Sequence, residues 1–170
     1  DKANFWSRLP GLPENAFDHD GNITKKEIRS ITLSALSPLP GQTLWDIGAG
    51  SGAIGIEWLR SEIYSKAVAI EKNTDKCAII KSNASKLGVP RLQVFQSIAP
   101  AGLCEIRDLP DAIFVGGGVS NLANLKSCWS YLSDGGCFVA NAVTLEAQRT
   151  LMDFKSIVGG DITSISISRS

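Results

Sequence analysis

The sequence predicts an α/β fold: a doubly wound, mostly parallel sheet with helices on both faces. Three observations carry this. Strand-like apolar runs alternate with helix-like segments five times, and right-handed crossovers then lay successive strands parallel. The first run ends in a glycine-rich loop, Asp46-Ile47-Gly48-Ala49-Gly50-Ser51-Gly52, which can turn a strand directly into a helix. The composition is that of an ordinary globular domain, with 44% hydrophobic and 20% charged residues in a chain of 170.

The elements follow in order. Residues 1–22 are rich in Pro, Gly, Asn and Asp and read as a turn-rich N-terminal arm, ahead of one domain over residues 23–170. Thr24-Lys25-Lys26-Glu27 has the form of a capping box. Behind it Ile28, Ile31, Ala35 and Leu36 share a helical face, and Pro38 and Pro40-Gly41 stop that helix. Thr43–Ile47 is the first strand and Gly52–Ser61 the helix after the loop. Ala67–Glu71 is the second strand, Thr74–Leu87 a helix closed by Gly88 and Pro90, and Leu92–Gln96 the third strand. A short helical stretch near Ala101–Ile106 precedes a fourth strand, Ala112–Val115, which runs into Gly116-Gly117-Gly118. Leu122, Leu125, Trp129 and Leu132 recur at helical spacing. Cys137–Val143 is the fifth strand, Thr144–Ile157 a helix, and Ile162–Ser168 a sixth strand after the Gly159-Gly160 break.

Charge and cysteine usage narrow the function classes. Seventeen basic residues balance seventeen acidic ones, which leaves no overall electrostatic footprint for nucleic acid or an anionic membrane. No apolar run approaches the roughly 20 residues of a membrane-spanning helix. Neither a nucleic acid nor a membrane is expected as partner. Cys77, Cys104, Cys128 and Cys137 fit no metal or redox spacing, and His19 is the only histidine. No metal site is expected, and free thiols suit a cytoplasmic protein. The chain opens on Asp1 and its only methionine is Met152, so it reads as part of something longer.

In parallel sheets of this kind ligands bind beyond the carboxyl ends of the strands. The glycine loop lies there, and the free N–H groups of the following helix point at whatever binds. Gly50-Ser51-Gly52-Ala53-Ile54-Gly55 satisfies a dinucleotide pattern, with Glu71 about 20 residues on. The wider pattern, Asp-x-Gly-x-Gly-x-Gly with its acid inside the strand end, resembles the first motif of the Rossmann-like class I S-adenosylmethionine methyltransferases. A nicotinamide oxidoreductase stands as the rival. Glu71 reads as a carboxylate for the two ribose hydroxyls, or else as a solvated acid beside Lys72. After the third strand many such enzymes carry an acid that reads the adenine amino group. Here that place is Ile98, so recognition falls to the backbone near Ala99 and to apolar contact, or to a side chain that the sequence does not identify.

A more specific resemblance rests on several segments in order. They are Pro13-Glu14-Asn15-Ala16-Phe17, then Asp18 to Arg29, then Trp45 to Gly52, then Val115 to Gly118, then Asn141 to Glu146. Together they resemble the C-terminal domains of the decarboxylating precorrin-6Y C5,15-methyltransferases and the stand-alone cobalt-precorrin-6B C15-methyltransferases of cobalamin biosynthesis. The resemblance implies methyl transfer from S-adenosyl-L-methionine to C15 of a precorrin, a tetrapyrrole, with loss of the ring C acetate carboxyl. It implies a homotetramer, an N-terminal methyltransferase domain in the same longer chain, and a seventh strand that this sequence does not reach. A class I methyltransferase for another small molecule, or a non-catalytic module with the same fold, remains an alternative.

By that resemblance Thr24 lies near the cofactor, and Gly48, Ala49, Gly50, Ser51 and Gly52 wrap its methionine end. Glu71 holds the ribose, Ala99 contacts it by backbone, and Gly117 lines the cleft. The substrate's carboxylates call for cations, and Lys25, Lys26 and Arg29 are candidates, or else a solvated helix face. Asn141 and Thr144 lie at the rim after the fifth strand, although Thr144 could simply cap the next helix. His19 and Asp20 read either as a cover on the cleft or as a local turn. Trp6, Trp45, Trp58 and Trp129 read as core. Methyl transfer from a sulfonium needs in-line approach rather than strong acid–base help, and holding two reactants can supply on the order of 7–11 kcal/mol. No triad is expected and no residue is assigned as catalytic.

Overall fold

The computed structural model describes residues 6–168. Five parallel strands form one sheet: β1 (Thr43–Ile47), β2 (Lys66–Glu71), β3 (Gln93–Gln96), β4 (Ala112–Val115) and β5 (Cys137–Ala140), in the order β3-β2-β1-β4-β5. Five helices connect and cover them: α1 (Lys26–Leu36), α2 (Ala53–Ser61), α3 (Thr74–Lys86), α4 (Leu122–Tyr131) and α5 (Leu145–Val158). Single 3-10 turns lie at Glu14–Ala16 and Leu103–Glu105.

The period of two along each central strand splits the core into two layers. Leu44, Ala67, Ala69, Ala112 and Phe114 face α1, α2 and α3. Trp45, Ile47, Val68, Ile70, Ile113 and Val115 face α4 and α5. Trp45 and Trp58 are fully buried, whereas Trp129 is partly exposed against Phe138 and Phe154. Leu12, Ala16, Phe17 and Ile23 are buried in the first layer, so the arm is packed into the domain from Leu12 onward.

Four local expectations need correction. The expected sixth strand, Ile162–Ser168, is not a strand: residues 161–168 join no ladder, and Ile162, Ile165 and Ile167 are exposed. Their alternation with Ser and Thr satisfies the side-chain pattern of a strand, but a strand also needs a neighbour's backbone, which the pattern cannot register. The fifth strand ends at Ala140 rather than Val143. The capping box does not form. Lys25 is the N-cap of α1 with no side-chain bond, and the Lys26 N–H donates instead to Glu14 Oε1 at 3.2 Å. Finally, α1 buries Arg29, Thr32, Leu33 and Leu36. Ile31 is 42% exposed, because a buried Arg29 turns the helix away from the face its isoleucines suggest.

Candidate functional site

Strand order runs one way from β1 to β3 and the other way from β4 to β5, so the sheet reverses between β1 and β4. Backbone diverges there and leaves a crevice beyond the strand ends. A cavity of about 490 Å³ fills it. Its walls come from the loops after β1 (Gly48–Ser51), β2 (Glu71, Lys72), β3 (Ser97–Ala99) and β4 (Gly116–Gly118), with Asn22–Thr24 of the arm and Asn121 and Asn124 at the start of α4.

The glycine loop is pinned from both sides. The N–H groups of Gly48 and Ala49 donate to Ile70 O at 2.9 and 3.2 Å, and that of Gly116 to Ile47 O at 2.9 Å. Gly48 has φ +69°, and a Cβ there would lie 2.8 Å from Gly117 Cα and N, so neither the turn nor the close approach admits a side chain. At Gly50 φ is +59°, but a Cβ would meet nothing within 4 Å: it would stand in open cavity. Gly52 caps α2 with no side-chain bond, which leaves the helix N-terminus turned toward the cavity.

Two carboxylates organise the floor. Glu71, almost buried, accepts from Gly50 N–H through Oε2 and from Asn73 N–H through Oε1, each at 3.0 Å. It braces the glycine loop against the start of α3, and among the described residues it makes no ion pair with Lys72. Asp46, 1% exposed, accepts from Gly55 N–H through Oδ2 at 3.0 Å. Its Oδ1 is the one buried side-chain polar atom among the described residues without a partner, and the residue lines the cavity. Burial above all, with the Glu71 charge adding to it and the Gly55 bond opposing it, pushes the Asp46 carboxyl up to about 7.

A pH signature follows from Asp46. The native carboxyl keeps its proton to about pH 7, whereas the unfolded chain releases it near the ordinary aspartate value of 3.8. Between these the unfolded state binds fewer protons, so this group lowers stability as pH rises from about 4 to about 7, and the loss is constant above. Asp46→Asn should therefore gain stability relative to wild type on going from pH 5 to pH 8. Urea midpoints of both proteins at the two pH values check this, and a difference that does not change with pH would contradict it.

Thr24, Gly48, Ala49, Gly50, Ser51, Glu71, Ala99 and Gly117 all line the cavity; Gly52, also expected there, does not, because it packs against Ile80 at the start of α2. The expected cations do not. Arg29 is fully buried. Its Nε lies 3.0 Å from Glu57 Oε1, its guanidinium donates to Thr24 O and Leu12 O, and it sits over the Phe17 ring at 5.0 Å. Its charge is spent on holding the arm to α2, so its assignment to substrate is corrected. Lys25 and Lys26 are exposed and outside the lining; Lys72 and Lys76 line the cavity instead. Asn141 donates to Thr32 Oγ1 at 2.9 Å, and Thr144 accepts from Ala147 N–H as the cap of α5. Neither reaches the lining, because β5 ends early and lies beyond β4. His19 Nδ1 accepts from Gly21 N–H in a local turn, while Asp20 pairs with Lys76 at 3.1 Å.

Sequence reasoning missed Asn83. Fully buried on α3, it accepts from Asp18 N–H at 2.8 Å and donates to Asp18 O at 2.9 Å and Ser51 O at 3.0 Å. It thus joins the arm to the glycine loop. The only signal was an amide on an otherwise amphipathic helix. No group of three potential metal ligands occurs among the described residues, and no helix there is long and apolar enough to cross a membrane.

Comparison with known proteins fits this geometry. Residues 15–170 match a family described as precorrin methyltransferase domain. The chain is 44% identical over 167 residues to a precorrin-6Y C(5,15)-methyltransferase [decarboxylating] from Sinorhizobium, covering 98% of this chain and 40% of that protein. It is 32% identical to a probable cobalt-precorrin-6B C(15)-methyltransferase (decarboxylating) from Saccharolobus solfataricus, covering 95% of this chain and 85% of that one. The crystal structure of the C-terminal domain of precorrin-6Y C5,15-methyltransferase from Rhodobacter capsulatus superposes with a TM-score of 0.89 at 41% identity, over 96% of this chain and 88% of that one. The chain therefore spans 40% of the length of the curated precorrin-6Y relative from Sinorhizobium.

Proposed function

The chain belongs to the precorrin methyltransferase family, and from that premise we propose that it methylates a precorrin at C15 with S-adenosyl-L-methionine and promotes loss of the ring C acetate carboxyl. The observation that carries the reading is the cavity at the sheet reversal, where Gly50 leaves a cradle that a Cβ would fill and buried Asp46 Oδ1 has no partner within the protein. Both features fit a ligand with an amino-acid end beside the glycine loop and hydroxyls beside Glu71.

When bound, S-adenosyl-L-methionine supplies a methyl group on a positively charged sulfur. The chain's own part is placement. Gly48 to Ser51 let the ligand approach the backbone, and Asp46 Oδ1, unpartnered within the protein, can accept one hydrogen bond from it once the carboxyl is ionised. Glu71, already fixed by Gly50 and Asn73, offers its remaining lone pairs to the ribose. Gly116 to Gly118 lack side chains and leave the mouth of the cavity open to a broad flat substrate. Holding both reactants in line is worth on the order of 7–11 kcal/mol, and a neutral thioether leaves without a proton. Lys72 and Lys76 are the cations on the lining that substrate carboxylates could meet.

The relatives' length supports an N-terminal methyltransferase domain in the same longer chain, and the family resemblance supports a homotetramer in the cytoplasm. Exposed Met152, Ile157 and Ile162 on and after α5 are apolar surface that such an assembly would cover. The test supplies the protein with a reduced precorrin and S-adenosyl-L-methionine and follows the product by mass. One methyl gained and one carbon dioxide lost per substrate is expected. Cofactor binding with no change in the tetrapyrrole would point to another small-molecule acceptor.

Gly50 and Gly48 give a paired expectation. Gly50→Val should abolish binding of S-adenosylhomocysteine while cooperative unfolding survives, because its side chain enters the cavity and the left-handed φ costs about 1–2 kcal/mol. Gly48→Ala should damage the fold itself, since its Cβ meets backbone. Calorimetry and thermal melting on both variants check this, and wild-type affinity in Gly50→Val would place the ligand elsewhere.

A further inference from the structure

A second cavity, of about 400 Å³, lies at the opposite end of α2 and α3 from the glycine loop and shares no described lining residue with the first. The length of α3 alone puts about 20 Å between its two ends. Four cations stand on the wall of this second cavity: Arg8 of the arm, Arg60 in the last turn of α2, Lys86 at the end of α3, and Arg91 just before β3. Among the described residues no carboxylate lines it. Backbone carbonyls hold two of the guanidinium groups in place. Arg60 donates through Nη1 to Leu87 O and through Nη2 to Trp6 O and Ser7 O, the last two at 2.9 Å, and Arg91 Nη2 donates to Leu59 O at 2.7 Å. Such bonds fix a cation without cancelling its charge. Arg8 is exposed and makes no ion pair among the described residues. Lys86 pairs with Asp18 at 3.0 Å, both exposed, where an ion pair contributes little. Burial lowers the pKa of the Arg60 guanidinium; the Glu57 charge opposes this and the neighbouring Arg8 adds to it.

The charge around this cavity does not balance. The C-termini of α2 and α3 each present about half a negative charge, and Asp18 adds one more. Against the four cations that leaves an excess of about two positive charges. We propose that the cavity is a binding site for a small organic dianion, a dicarboxylate or a phosphate monoester, with its charged groups among Arg8, Arg60, Lys86 and Arg91 and its apolar part against Trp6 and Ile63. Trp6 and Ile63 both line the cavity, and Ile63 is 47% exposed, apolar surface that such a ligand covers. The volume is in the range of small-ligand sites. Arginine forks and a lysine suit carboxylate and phosphate alike. The site is independent of the cofactor reading, since it lies at the other end of the helices. A bound dianion would join the arm at Arg8 to the ends of α2 and α3, and binding to the folded state alone raises thermal stability with concentration.

The test titrates the protein at low salt and pH 8 with benzene-1,3-dicarboxylate, with phenyl phosphate, and with the monoanion benzoate, followed by calorimetry and by thermal melting. At least one dianion should bind saturably, about tenfold or more tighter than benzoate, and raise the melting temperature. The tighter of the two identifies the charged group as carboxylate or phosphate. Arg8→Ala, at an exposed position where folding is not at stake, should weaken that binding by about tenfold or more, the loss of one charged hydrogen-bond partner. Lys72→Ala, which removes a cation from the other cavity, should bind as wild type does. Absence of saturable binding by the folded protein would overturn the inference, as would benzoate binding equally well or wild-type affinity in Arg8→Ala. Loss of binding in Lys72→Ala would place the anion at the glycine loop and overturn it too.

Discussion

Glu57→Ala is expected to destabilise the protein by about 3–5 kcal/mol. Glu57 is 1% exposed and carries three partners at once: Arg29 Nε at 3.0 Å, Gly11 N–H at 2.7 Å and Leu12 N–H at 3.1 Å. Truncating it leaves a guanidinium in the core with no counter-charge, together with two unpaired N–H groups, and a buried uncompensated charge is among the few single changes this damaging. Arg29→Met should be milder, because an apolar side chain of similar length fills the space and the Glu57 carboxylate left behind still accepts from Gly11 and Leu12 N–H. The double variant should then be less destabilised than the sum of the singles. Urea titration of the four proteins measures this. A loss for Glu57→Ala within about 0.5 kcal/mol, as for a surface change, would show that the pair does not hold the arm to α2.

Glu71→Gln is expected to weaken S-adenosylhomocysteine binding by about tenfold to a hundredfold, with the fold retained. The change keeps the shape but replaces a charged acceptor. A hydrogen bond to a charged group is worth about 1.5–3 kcal/mol, and about 1.4 kcal/mol is tenfold in affinity. The amide can accept from only one of Gly50 and Asn73, so its NH₂ must face the other N–H and loosen the glycine loop. Titration of a variant with an unchanged circular dichroism spectrum gives the answer. Unchanged affinity would remove Glu71 from the ribose.

The central strands and the glycine loop were legible because their signals are local. β1, β2 and β4 are short apolar runs, each bounded by turn residues, and Gly48 to Gly52 announce a turn whatever surrounds them. Arg29 was misread because a charged residue on an exposed-looking helix gives no hint of a partner 28 positions away. The same long-range contact explains why the isoleucine face of α1 turned outward. Lys25 and Lys26 are adjacent to a cleft residue in sequence, yet the helix carries them away. Lys72 and Lys76 enter the lining because they follow β2, whose end forms the floor. The segment after Gly160 had the alternation of a strand and lacked what alternation cannot encode, a neighbouring backbone. Asp46 stood inside a recognised motif, but that one of its oxygens is left unpartnered depends on where Gly55 falls.

The central claim is that the cavity between β1 and β4 takes S-adenosyl-L-methionine. Calorimetric titration of the purified chain with S-adenosylhomocysteine, and separately with NADH, tests it most directly. The account predicts saturable binding of one S-adenosylhomocysteine per chain and no heat from NADH. Binding of NADH in its place, or of neither ligand by a folded protein, would contradict it.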